Sequence, residues 1–536
     1  MKPMSEGRHR AAALTPDSTG TSSMASSDVH AGMALTEDFK TDARPTAKTA
    51  TSELAGWAST LELEHVPDRV VAYARSQLLS QLAAARAGLA HSLGHKLTRA
   101  FGPPLADDPK QTAYVLSALT MCLEYDETVY AGHVSHSCVN VPIAYARGLA
   151  LDGRALLTAI IAATESAARI AAASTLGPFR GQTASHPHLA GAIAGRLRAE
   201  AAPAERWTNA FGIAFTLPPW SLLPGLLGSD AKVLTAATPV RAGLDACDAA
   251  AAGLAGTPDI MEHEDGFLAR FATLPLPDAV AFGLGTRWHT ETLSFKVYPA
   301  ATGVYAAVEC AIELHDRLGA IDPDEIDKVV VHGSIFTFLS NLRAQSYLRG
   351  PETPVSALQF AVPYSVATAL VTGALTFDDF ERPAVSEGRR WATAAKVHVE
   401  HDDELTRLSG AGTSPLGEAL RQAGPRAVDW IAKRGVPDAE SYVRELGRPA
   451  ATFEQARKTI GSRVTVRLVD GRALEAERLM PTGAAGDDTR ARHPQLARQK
   501  FLATGGSEEI ADGLAAIHEA SPDEVMALLE AALGGG

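Results

Sequence analysis

The stretch Leu123-Glu124-Tyr125-Asp126-Glu127-Thr128, followed by His133 and His136, decides how this sequence is read. Apolar residues at helical spacing run up to it over 113–123 and resume after it over 141–151. Asp152-Gly153 ends that second helix, and 154–173 forms the next. Three acidic side chains, a hydroxyl and two imidazoles therefore sit in a break between helices. Acids and histidines placed together can pass protons and hydrogen-bond a substrate. The same residues also suit a plain helix end, with a capping box and two solvated loop histidines. Spacing leaves both readings open. His133 and His136 are three residues apart, as metal ligands can be, but no third or fourth ligand follows at a recognisable spacing. No metal is expected.

Outward from this segment, helical patterning holds from residue 52 to about 283. It covers 70–88, a small-residue face over 187–200, and a further helix starting at Asn209. After about residue 291 the character changes. A helix is expected over 302–318, a strand over 327–334 and an apolar helix over 357–372. Residues 396–400 and 463–468 alternate polar and apolar as strands do. Asp470-Gly471 marks a hairpin whose second arm is 474–478. Helical pattern returns over 495–533. The fold class expected is mainly α, a large all-helical domain plus a smaller α+β domain. The divisions are a disordered tail at 1–50, the helical domain at 51–290, the α+β domain at 291–490 and C-terminal helices at 491–536 that pack back on the helical domain.

The 536 residues carry 46% hydrophobic and 21% charged side chains, an ordinary globular balance. Net charge is −13 with no Lys/Arg run, which argues against nucleic acid but not against an anionic substrate. The four cysteines are dispersed, without CxxC, as in a reducing cytoplasm. No apolar run of membrane-spanning length and no secretory h-region are visible, so the protein is read as cytoplasmic. No Walker A loop, dinucleotide fingerprint or nucleophile elbow is present.

Four further features carry chemistry. Lys232 lies in Ser-Asp-Ala-Lys-Val-Leu, and Lys296 in Ser-Phe-Lys-Val-Tyr-Pro. Either ammonium can hold an anion, or lie on the surface along apolar carbon. Tyr364, in Gln-Phe-Ala-Val-Pro-Tyr, is a proton donor or a core tyrosine. Gln182 and His186, in Gln-Thr-Ala-Ser-His-Pro-His, form a polar helix entry or a solvated loop.

The order of these features resembles the MmgE/PrpD family, which includes 2-methylcitrate dehydratase, cis-aconitate decarboxylase and iminodisuccinate epimerase. Leu123–Thr128 with His136 is similar to the family's L-D-F-D-D-T and following His. Asn209–Ala214 is similar to N-A-L-G-I-A, and Lys232 with Leu234 to T-K-x-L-H. Phe295–Pro299 is similar to F-K-P-Y-P, and Gln359–Tyr364 to Q-F-S-L-P-Y. The resemblance spans about 55–505. It implies that the smaller α+β domain is a lid domain, and that the protein is a homodimer without metal or organic cofactor that acts on di- or tricarboxylates. The expected activity is a cofactor-independent dehydratase, with a decarboxylase, a proton-transfer epimerase or isomerase, or a non-catalytic carboxylate-binding homologue as alternatives. His136, Glu124, Asp126, Tyr364 and His186 would be catalytic. Thr128, His133, Gln182, Lys232 and Lys296 would bind substrate. Glu124 replaces an Asp, the loop to His136 is longer and holds His133, Thr235 replaces a His, and Ala301 stands where the decarboxylases carry a His.

Overall fold

Alanine and glycine set the packing of the central helices. In the computed structural model, Gly153–Ser174 is buried along almost its whole length. Ser185–Ala199 lies against it. A Cβ on Gly191 would collide with the Ser137 and Cys138 side chains, so that helix is pressed onto the segment holding His136. Asp152 caps Gly153–Ser174 by accepting from the Ala155 amide at 2.8 Å. This helix has the length and composition to cross a bilayer, which corrects the reading that no such run exists. It is instead a core helix, with Glu165 and Arg169 paired inside the protein at 3.4 Å.

The structure describes residues 48–178, 181, 184–319, 321–434 and 436–534. The 1–50 tail therefore lies, but for its last three residues, outside the described part. Residues 48 onward form one compact unit. Its architecture is mainly helical, with a small sheet. Asp68–Ala90, Pro109–Met121, Asn140–Leu149 and Leu234–Ala251 complete the helical layer around Gly153–Ser174. The four cysteines are buried and unpaired.

The sheet has the order Val397–His401, Ile326–Gly333, Ser462–Leu468, Ala473–Arg478. The first two strands are parallel, pairing Val329 with Val397, and the others antiparallel. The turn at Asp470-Gly471 joins the last pair, with Gly471 at φ 88°, as the sequence signal requires. Tyr305–Leu318 and Val362–Thr372 cover one another and the sheet. Two boundaries differ from expectation. The helix read from Asn209 begins at Ala204, after Pro203. The helix read over 357–372 is split into Val355–Leu358 and Val362–Thr372, because Pro363 suits only a first turn. Among the C-terminal helices, Asp487–Ala503 packs along Asp68–Ala90, and Arg86 reaches the carbonyls of Thr504 and Ala532.

Candidate active site

The acidic motif is buried. Glu124, Asp126, Glu127 and His136 are all at most 3% exposed, so the helix-cap reading with solvated histidines fails for this site. Pro109–Met121 ends just before it, and Glu124 turns the chain at φ 53°. That left-handed conformation costs a residue with a Cβ about 1–2 kcal/mol. Such strain clusters at functional positions. Thr128–Val129 then pairs antiparallel with Gly132–His133, placing His133 opposite Thr128 and folding the loop back over Asp126. The short helix Ser135–Cys138 presents His136.

One carboxylate serves two imidazoles. Asp126 Oδ2 lies 2.9 Å from His133 Nδ1 and 3.2 Å from His136 Nε2. His136 Nδ1 meets the Thr120 hydroxyl at 2.9 Å, which Asn140 in turn supports at 3.1 Å. The ring is thereby fixed with Nε2 toward Asp126. His133 Nε2 reaches Glu124 Oε1 at 3.2 Å. The ligating atoms of Asp126, His133 and His136 all lie within 4.8 Å of one another. The fold thus supplies the third ligand that spacing did not show, and this trio could hold a metal ion. The Lys296 ammonium stands 3.4 Å from the same Asp126 and would compete with it.

Neither lysine is a surface charge. Lys232 lies on the 3-10 turn Asp230–Val233 and meets Glu124 Oε2 at 2.5 Å. It also donates to Gln359 Oε1 at 2.5 Å, and Gln359 is held by donating to the Cys122 carbonyl at 2.7 Å. Lys296 donates to the Glu124 carbonyl at 2.9 Å and its Oε1 at 3.1 Å. Burial opposes the Glu124 charge, but Lys232, Lys296 and His133 outweigh it and hold the carboxyl well below its usual range. Asp126 is lowered in the same way by the two histidines and Lys296. For Lys232 burial wins, and its pKa falls; for Lys296 the two carboxylates overcome burial, and its pKa rises.

The structure brings together Glu124, Asp126, Thr128, His133, His136, Lys232 and Lys296. It does not bring Tyr364 or His186 there. Tyr364 donates to the Asp379 carbonyl at 2.5 Å and packs on Phe380 and Trp391, as a core tyrosine does. His186 bonds the Pro219 carbonyl at 2.8 Å and sits edge-on to Phe267 and Phe271, where burial pushes it down to about 4. Gln182 lies outside the described residues.

Three neighbours escaped the sequence reading. His188 stands edge-on to His136 at 5.0 Å, and burial, then the two site histidines, lower its pKa well below the usual value. Its place two residues after His186 was the available signal. Lys500, from the C-terminal helix, donates to Glu127 Oε1 at 3.1 Å, to Ser80 Oγ at 2.9 Å and to the Tyr125 carbonyl. Lys458 donates to Thr128 Oγ1 at 2.9 Å. It lies in a stretch without periodicity, so no local pattern marked it.

Residues 52–278 match the MmgE/PrpD N-terminal domain and residues 298–456 the MmgE/PrpD C-terminal domain. A cis-aconitate decarboxylase of Aspergillus terreus (strain NIH 2624 / FGSC A1156) is 26% identical over 396 residues, covering 66% of this chain and 79% of that protein. A second cis-aconitate decarboxylase from Aspergillus terreus matches with the same identity and coverage.

Proposed function

The chain belongs to the MmgE/PrpD family, and on that premise we propose that it is a lyase removing water from a hydroxylated di- or tricarboxylic acid. The observation that carries this is the single Asp126 carboxylate shared by two imidazoles, with two buried ammonium groups alongside. Such elimination needs a base for the proton beside a carboxylate, an acid for the leaving hydroxyl, and positive charge for the intermediate. In this reading His136 takes the proton at Nε2, which has no hydrogen-bond partner among the described residues, while Thr120 holds its Nδ1. His133 is the more exposed of the two rings, with 20% of its side chain accessible, and is placed to protonate the hydroxyl. Proton transfer of this kind contributes about 10²–10⁴-fold. Lys232 and Lys296 share their N–H groups between Glu124 and the substrate carboxylate. They hold the charge that grows there as the proton leaves, and do so in a dry site where it counts most.

A second reading is carbon dioxide loss from an unsaturated tricarboxylate, favoured by the likeness to the two fungal proteins named cis-aconitate decarboxylase. The same lysines would stabilise the carbanion left behind. Ala301, in place of the decarboxylase His expected from the resemblance, counts against it. The test is incubation with a panel of hydroxylated and unsaturated acids, following alkene absorbance and carbon dioxide release together. Alkene formation without gas supports the dehydratase; gas release supports the decarboxylase. Deuterium exchange from heavy water with neither product sinks both in favour of proton transfer alone.

A further inference from the structure

Four lysines are buried near the acidic motif, and three have a carboxylate partner. Lys232 and Lys296 pair with Glu124, and Lys500 pairs with Glu127. Lys458, only 5% exposed, meets no carboxylate within ion-pairing distance among the described residues. The described partner of its ammonium is the Thr128 hydroxyl, and an ammonium has three protons to donate. A buried cation without a counter-ion is costly, so such groups are paired, coordinated or neutral.

The surroundings are built around this nitrogen. Thr128 is fixed by exchanging backbone hydrogen bonds with Ser294, at 3.2 and 2.8 Å. Lys458 is fixed by its amide donating to the Ala485 carbonyl at 2.8 Å. Together with Lys296, Thr302 and Tyr305 it lines a small space of about 10 Å³, room for one water-sized group. The titratable groups facing it are Lys296 from the preceding segment, Asp126 beside Thr128, and Tyr305 from the helix across the space. Burial, then the Lys296 charge, bring the ammonium down to about 7, while Asp126 opposes them.

We propose that Lys458 and Thr128 together form a subsite for a further carboxylate of the substrate. This rests on the lyase reading above for the identity of the substrate, but not for the binding itself. The Lys458 N–H and the Thr128 O–H are two donors 2.9 Å apart, a spacing that suits the two oxygens of one carboxylate. Lys232 and Lys296 hold the carboxylate next to the reacting carbon, and Lys458 the distal one. Entry of the distal group requires the chain at 458–460 and 481–484 to part from 294–296, which line the space together. Binding supplies the missing counter-ion and so draws a proton onto Lys458 when the solution is near neutral.

The test is calorimetric titration of the full chain with propane-1,2,3-tricarboxylate and with a monocarboxylate, propionate, in buffers of different ionisation enthalpy at pH 7.5. Neither probe carries a hydroxyl to eliminate, so the result does not depend on turnover. Wild type is expected to take up a fraction of a proton with the tricarboxylate. Lys458→Met is expected to bind it about 10–100-fold more weakly and without that uptake, as loss of one charge-assisted contact predicts. Lys458→Arg retains part of the affinity but not the proton uptake. Equal affinity and equal proton uptake in wild type and Lys458→Met, including no binding by either, overturns the proposal. So does equal weakening of both probes with a lowered melting temperature. If the tricarboxylate binds as expected but no acid in the panel is turned over, the lyase reading fails and the subsite stands.

Discussion

Replacing Glu124 by Gln keeps the shape of the site and removes one charge. In the native protein that carboxylate faces Lys232 at 2.5 Å, Lys296 at 3.1 Å and His133 at 3.2 Å. Asp126 remains for Lys296 and His133, but Lys232 keeps, among the described residues, only the neutral Gln359 and the Phe360 ring. Breaking a buried pair on one side costs about 3–5 kcal/mol, because the other charge is left uncompensated. Unfolding entropy near 2.1 cal/mol/K per residue, over roughly 480 described residues, makes this about 3–5 °C in melting temperature. The pH dependence follows from the sign of the shift. The folded carboxyl lies below its unfolded value, so its stabilisation is present above about pH 4.3 and is lost as pH falls through the folded value. Wild type therefore loses stability on acidification below about pH 4 that Glu124→Gln has already lost. Removing both charges, in Glu124→Gln with Lys232→Met, should recover much of the cost. The assay is differential scanning calorimetry of wild type, Glu124→Gln, Lys232→Met and the double variant at pH 7 and pH 3. A loss under about 1 kcal/mol at pH 7, or additive losses in the double variant, would refute the reasoning.

Three more outcomes follow. Asp126→Asn frees both imidazoles from their shared anion, and turnover of the preferred acid should fall about 10²–10⁴-fold with the fold intact by circular dichroism. Tyr364→Phe removes a hydrogen bond to the Asp379 carbonyl; it should lower stability by about 1 kcal/mol and leave kcat within twofold. Gly483→Ala should reduce soluble yield or melting temperature, because Gly483 sits at φ 78° and a Cβ there would strike the Phe295 carbonyl beside Lys296.

Much of the helical layer was legible because its apolar residues repeat at helical spacing and its ends carry Asp and Pro signals, as at Asp152 and Pro109. The hairpin at Gly471 was legible from its turn residues. The two-residue ribbon of Thr128 and His133 was not, since four residues are too few for a period. Within the site, Glu124, Asp126 and His136 were visible as a local cluster. Tyr364 and His186 sat in equally suggestive motifs, but nothing local tells a tyrosine facing Asp379 from one facing a substrate. Lys458 and His188 were missed for the converse reason: their contacts are made across the fold, and composition around them is unremarkable.

The Lys500 contact also governs the order of assembly. Its partner Glu127 is made 373 residues earlier. The other lysines of the site, at 232, 296 and 458, likewise follow the acids at 124–127 along the chain. During synthesis Glu127 must therefore wait for its ammonium until nearly the whole polypeptide has emerged. The loop closures it waits for are among the longest in the molecule, so catalytic competence should be the last property a refolding chain acquires. A chain shortened ahead of Lys500 would not be a slower catalyst; it would leave Glu127 buried with no ammonium to meet it.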